Sequence, residues 1–197
     1  VEDWFRRVNA FGEEQGVRVE HYIISSGLRE IIEGTAIAKD FTHIYASSFY
    51  YNEHGEPCWP AQVINYTNKT QFLFRIEKGI LDINDNAVND HFAEGELRVP
   101  FRNIVYIGDS ATDIPCMRLV NSLGGHSVGV YDLGNTASKD TVRRMIRDER
   151  IRYYVPADYT KGSEMDTLMH QIIDKTAAYE VLEEKHLRDR KEAVSLK

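Results

Sequence analysis

Two short apolar runs that each end in a polar turn and lead into a helix constrain this chain more than anything else in it. Val19 to Ile24 reads as a buried strand, ends in Ser25-Ser26-Gly27 and is followed by a predicted helix from Leu28 to Ala38. Asn103 to Ile107 repeats the pattern, closes with Gly108-Asp109-Ser110, and precedes a helix from about Thr112 to Leu123 in which Pro115 is tolerated near the start. Strand, tight polar turn and helix is the repeating unit of α/β proteins, so a mostly parallel sheet flanked by helices is expected.

The other elements fit around these two. Glu2 to Gln15, apolar at Trp4, Phe5, Val8 and Phe11, reads as a helix already under way at the first residue. Thr42 to Tyr51 is rich in β-branched and aromatic residues, Asn52-Glu53-His54-Gly55 supplies a turn, and Gln62 to Tyr66 is expected as the second arm of a β-hairpin. Thr67 or Asn68 can cap a helix running through Phe72 and Ile76 to a stop at Gly79. Strands are expected at Ser127 to Tyr131 and Arg152 to Val155 with a helix between them, then a long helix from about Ser163 into the charged stretch after Glu180.

Charge narrows the partners. A formal net charge of -7 opposes a surface built to hold nucleic acid or anionic lipid, both of which require a basic field. No apolar run approaches the roughly 18 residues of a membrane span. Two cysteines, Cys58 and Cys116, form neither a CxxC pair nor a disulfide framework, which points to a reducing cytoplasm. A small molecule is the expected partner.

In open α/β sheets the functional groups sit just beyond the carboxyl ends of the strands. Ser25, Ser26 and Gly27 there offer a hydroxyl and backbone N–H groups to an anion, although a serine ahead of a helix serves equally as an N-cap. Asp109 and Asp113 are four apart across a turn into a helix, an arrangement that suits Mg²⁺ with retained waters and also suits two capping aspartates. Lys69 falls in a first helical turn, where a cation gains nothing from the helix dipole; neutralising a phosphoryl group or carboxylates would account for it, as would plain solvent exposure.

Taken in order, Tyr22-Ile23-Ile24-Ser25-Ser26-Gly27, Asn68-Lys69 and Val105-Tyr106-Ile107-Gly108-Asp109-Ser110-Ala111-Thr112-Asp113 resemble motifs two, three and four of the haloacid dehalogenase (HAD) superfamily. The resemblance implies a HAD-like, Rossmann-type sheet with a β-hairpin insertion, the hairpin being similar to that of phosphoserine phosphatase-like members. It implies a single core domain over 1–197, with 1–16 the helix returning from an upstream cap and 180–197 a charged helical tail.

The implied activity is Mg²⁺-dependent hydrolysis of a small phosphorylated metabolite through an aspartyl-phosphate. By matching position, Ser25 would hydrogen-bond the phosphoryl oxygens with Ser26 and Gly27 beside it. Lys69 would offset the charge of phosphate and nucleophile, Asp109 would ligate Mg²⁺, and Asp113 would act on the ion through a water or orient Lys69.

The family's first motif, DxDx(T/V), which carries the nucleophile, does not occur in these 197 residues. Its strand normally lies between the motif-two and motif-four strands, so a gap between those strands is expected. That gap would be filled by the protein's own N-terminal segment or by another chain, as in a homo-oligomer. The competing reading is a non-catalytic phosphate-binding or regulatory module on the same scaffold. A phosphoacceptor signalling domain is disfavoured, because there the acidic residues precede the lysine.

Overall fold

The computed structural model describes residues 1–195; Leu196 and Lys197, the end of the expected charged tail, lie outside the described residues. The coordinates divide into two compact units, one made of Val1–Glu20 and the chain from Asp158 onward, the other of His21–Ala157.

The first unit is helical. Helix α1 (Glu2–Glu14) buries Trp4, Phe5 and Val8, and helix α6 (Glu164–Ser195) buries Met165, Met169, Ile172 and Ile173 in its first turns. Arg7 ties the two together by donating to Asp166 Oδ1 at 3.3 Å and to the Tyr159 carbonyl at 2.8 Å. Phe11 stacks on the His170 ring at 4.0 Å between centroids. Asp166 also accepts from the Gly162 N–H, which satisfies a backbone donor ahead of the helix. After Lys175 the helix is largely exposed, with Val181 and Leu182 in solvent, as expected of a charged tail.

The second unit holds all six strands, in two three-stranded sheets rather than one. In the first sheet β1 (Tyr22–Leu28) pairs in parallel with β2 (His43–Tyr51), and β2 pairs antiparallel with β3 (Pro57–Gln62). In the second, β4 (Val105–Gly108), β5 (His126–Tyr131) and β6 (Tyr153–Pro156) are all parallel. β5 is buried at every position, as a central parallel strand covered on both faces must be. Helices α4 (Ile114–Ser122) and α5 (Thr136–Arg147) supply the crossovers, burying Cys116, Met117 and Val120 from one and Val142 and Met145 from the other. The fold is therefore α/β.

Three expectations need correction. β1 begins at Tyr22 rather than Val19 and runs on through the predicted turn to Leu28. The helix expected over Leu28 to Ala38 shrinks to α2 (Arg29–Glu33), with a short 3-10 turn at Ala38–Asp40. Thr35 and Gly34 interrupt the helical pattern, and no residue of α2 is buried to hold a longer helix in place. The second hairpin arm is Pro57–Gln62, not Gln62 to Tyr66. Its two prolines read as strand-breaking, yet an edge strand tolerates them because one side of its ladder has no partner to lose.

Helix α3 (Thr70–Lys78) joins the two sheets. Phe72 and Ile76 pack with Tyr45 and Ile64 beside the first sheet, while Leu73 belongs to the cluster of Tyr106, Met117 and Val120 beside the second. Ile24 of β1 is packed against both clusters. The helix stops at Gly79, whose φ of 73° is left-handed backbone open to glycine and costly to most other residues.

The two thiols make a simple check on this packing. Cys58 is exposed on β3, whereas Cys116 is fully buried and its thiol is pushed up to about 11 by burial. Titration with a disulfide reagent at pH 8 is expected to modify Cys58 alone in the native protein and both thiols only after denaturation. Two fast-reacting native thiols would contradict the placement of α4.

Candidate functional site

The site lies where β4 ends. Gly108 closes the strand, Ser110 caps a 3-10 turn over Ala111–Asp113, and Pro115 sits in the first turn of α4, where its missing N–H costs nothing. This geometry turns Asp113 back toward the strand. A Cβ built on Gly108 would meet Asp113 Cβ, Cγ and Oδ2 at 2.8 Å, so the glycine is the space into which the carboxylate fits.

Asp113 is buried, and both of its oxygens are engaged. Oδ1 accepts from Lys69 Nζ at 2.7 Å and from the Tyr106 hydroxyl at 2.9 Å; Oδ2 accepts from the Ser110 hydroxyl at 3.1 Å. Lys69 is the N-cap residue of α3 and is itself only 6% exposed. A buried ammonium at the positive end of a helix is doubly unfavourable, and the contact with Asp113 offsets it. Residues 44 apart in sequence thus form one buried ion pair between α3 and the β4–α4 turn.

Tyr106 was not among the residues that sequence reasoning selected. Its phenol is pushed upward by burial, with Cys116 and Asp113 adding to the effect, so it stays protonated and donates. A tyrosine inside a buried strand needs a partner for its hydroxyl, and that requirement was the available signal.

Asp109 differs from Asp113 in every respect. It is exposed and makes no hydrogen bond or ion pair among the described residues. Its carboxylate is free to take an external cation. Among the described residues no group of three or more His, Cys, Asp or Glu side chains is arranged to hold a metal ion. On donor chemistry, then, Asp109 fits Mg²⁺ as one hard oxygen ligand. Asp113, already holding three donors, fits the role of orienting Lys69.

Ser25, Ser26 and Gly27 form an irregular bulge in β1. Ile24 pairs with Tyr45 and Leu28 with Ser47, so β1 advances four residues while β2 advances two. The extra residues are pushed out of the ladder, a device that re-aims side chains at strand ends. The Ser25 hydroxyl accepts from the Gly27 N–H at 3.0 Å, and Ser26 and Gly27 are exposed. The anion site expected from a helix N-terminus here is corrected: α2 has only five residues and no side-chain cap, so what stands at this point is a strand bulge. No hydrogen bond or ion pair among the described residues joins Ser25 to Lys69, Asp109 or Asp113.

Gly108→Ala tests the carboxylate pocket. The added methyl would overlap Asp113 and, because Asp113 is tethered by three donors, cannot be accommodated by rotation. A loss of about 1–3 kcal/mol is expected in urea unfolding, the usual cost of overpacking. A neutral result would mean that Asp113 lies elsewhere.

The sequence matches no protein-family profile. It is 24% identical over 177 residues to an uncharacterized protein of Borreliella burgdorferi, an alignment covering 83% of this chain and 60% of that protein. The chain therefore spans about 60% of the length of this relative. What fold and site define together is an α/β protein with a buried lysine–aspartate pair beside a free carboxylate at the end of a parallel strand. No helix among the described residues is long and apolar enough to cross a membrane.

Proposed function

We propose that the protein is a Mg²⁺-dependent phosphomonoesterase of the HAD type, acting on a small phosphorylated metabolite in the cytoplasm. The observation that carries this reading is the buried Lys69–Asp113 pair at 2.7 Å, set next to the unpartnered Asp109. Lys69 and Asp113 came from two separate stretches of sequence by resemblance and are in contact, and Asp109 begins the same turn after β4 that carries Asp113.

In this reading an aspartate outside these 197 residues attacks phosphorus. The ester P–O bond breaks, the alcohol leaves with a proton, and water then hydrolyses the aspartyl-phosphate to regenerate the carboxylate. An anion can approach an anionic phosphate only where positive charge offsets the repulsion. Lys69, held in place by Asp113, supplies part of it. Mg²⁺ held by Asp109 would supply the rest by neutralising phosphoryl oxygens. The Ser25 hydroxyl, which accepts from the Gly27 N–H, would offer its own proton to one of the same oxygens.

The open sheet edges support a place for the attacking segment. β1 and β4 each pair on one side only among the described residues, both are half-buried, and Ile24 packs toward the clusters of both sheets. Such edges present unpaired backbone donors and acceptors on which a further strand can pair. A strand from the protein's own N-terminal segment, or from a second copy, inserted between them would leave both paired.

The competing reading is a regulatory phosphate-binding module, favoured by the lack of a DxDx(T/V) motif in the chain. Steady-state hydrolysis of phosphomonoesters by the product of the complete gene, with and without Mg²⁺, separates the two. Mg²⁺-dependent release of phosphate that is lost in Asp109→Asn supports the enzyme; phosphate binding without turnover supports the module.

A further inference from the structure

We propose that Tyr106 and Ser110 are positioning residues, which together clamp the Asp113 carboxylate and so determine where the Lys69 ammonium stands. The inference rests on the phosphoryl-transfer reading for its catalytic consequence but not for its geometry.

A carboxylate held only by Lys69 could rotate about its last torsion and carry the ammonium with it. Here the plane of the carboxylate is set from both ends, by Tyr106 at 2.9 Å on Oδ1 and by Ser110 at 3.1 Å on Oδ2. Tyr106 cannot easily follow a moving partner. Its ring lies in the cluster of Leu73, Cys116, Met117 and Val120. Ser110 is in turn bonded to the Thr112 hydroxyl at 2.7 Å, which stiffens the turn that begins at Asp109. One network therefore fixes the ammonium and braces the chain next to the free carboxylate.

The opposing account is that Tyr106 merely satisfies its own buried hydroxyl. Tyr106→Phe keeps the ring and deletes only the donor; Ser110→Ala does the same on the other oxygen and serves should the first variant fold poorly. Two readouts decide. The rate of Lys69 acetylation by acetic anhydride, followed by peptide mass spectrometry on folded protein, is expected to rise severalfold in either variant as the ammonium is loosened. In the complete gene product, kcat for p-nitrophenyl phosphate is expected to fall about tenfold, with KM and the Mg²⁺ half-saturation point unchanged, the pattern of a misplaced group rather than of lost binding. Wild-type acetylation rates at Lys69 in both folded variants would overturn the proposal, since a purely structural hydroxyl leaves the ammonium where it was. If the wild-type protein turns over no phosphomonoester, the phosphatase reading fails by itself and the acetylation rates still decide the clamp.

Discussion

Under the proposed function, Asp109→Asn is expected to cut Mg²⁺-dependent phosphate release by the complete gene product about 100-fold while leaving the fold intact. The size of the effect follows from the chemistry. Asparagine keeps the shape and one oxygen but removes the charge that makes a carboxylate a ligand for a hard cation. Loss of about 3 kcal/mol of transition-state stabilisation corresponds to a fall of roughly 100-fold in rate, and metal-assisted charge neutralisation is worth several kcal/mol. Stability should be almost untouched, because Asp109 is exposed and has no partner to strand among the described residues. Calorimetric titration with Mg²⁺ gives a second readout: weakened binding is expected in the variant. Unchanged turnover and unchanged Mg²⁺ binding would remove Asp109 from the site.

The reverse separation holds for the ion pair. Asp113→Ala is expected to destabilise the protein by about 3–5 kcal/mol, because it leaves the Lys69 ammonium buried without its counter-charge. For a chain of this size that corresponds to a fall in Tm of roughly 6–20 °C. Lys69→Met strands the Asp113 carboxylate instead, but Tyr106 and Ser110 still donate to it, so its cost should lie at the lower end. The double variant Lys69→Met/Asp113→Leu should recover much of the loss. Replacing both members of a buried pair by apolar groups removes two desolvation penalties together with one attraction. Under the proposed function that variant should nonetheless be inactive, since no lysine would remain to offset charge at a phosphoryl group. Urea midpoints for the wild type and the three variants test each of these expectations. Single variants that each cost less than about 1 kcal/mol would show the pair to be solvated rather than buried.

These outcomes bear on why two sheets with open edges occur in one compact unit. The motif resemblance implies a strand between β1 and β4, and those are the strands that lack a second neighbour among the described residues. α3 and the Lys69–Asp113 pair connect the sheets without backbone pairing. Under the proposed function, the attacking carboxylate would arrive at a place where the lysine is already held.

Much of this architecture could be read along the chain, because the forces that set it act over a few residues. Runs of β-branched and aromatic residues made β2, β4, β5 and β6 legible to within one or two positions. Gly79 marked the end of α3 and Pro115 the start of α4 because each suits one backbone conformation. Lys69, Asp109 and Asp113 could be picked out, Lys69 because a cation at a helix start has no local justification. What tertiary structure decided were contacts between distant residues. The partner of Lys69 lies 44 positions away; the resemblance allowed Asp113 either a water-mediated role or this one, and packing of α3 against both clusters brings the two into contact. The same packing enlisted Tyr106, whose neighbours in sequence suggest nothing but strand. Local propensity also misjudged α2, which lacked a buried face to extend it, and β3, where an edge position made two prolines harmless. Propensity and periodicity report on a residue's own neighbourhood; which two distant side chains share a buried charge depends on how the elements close around them.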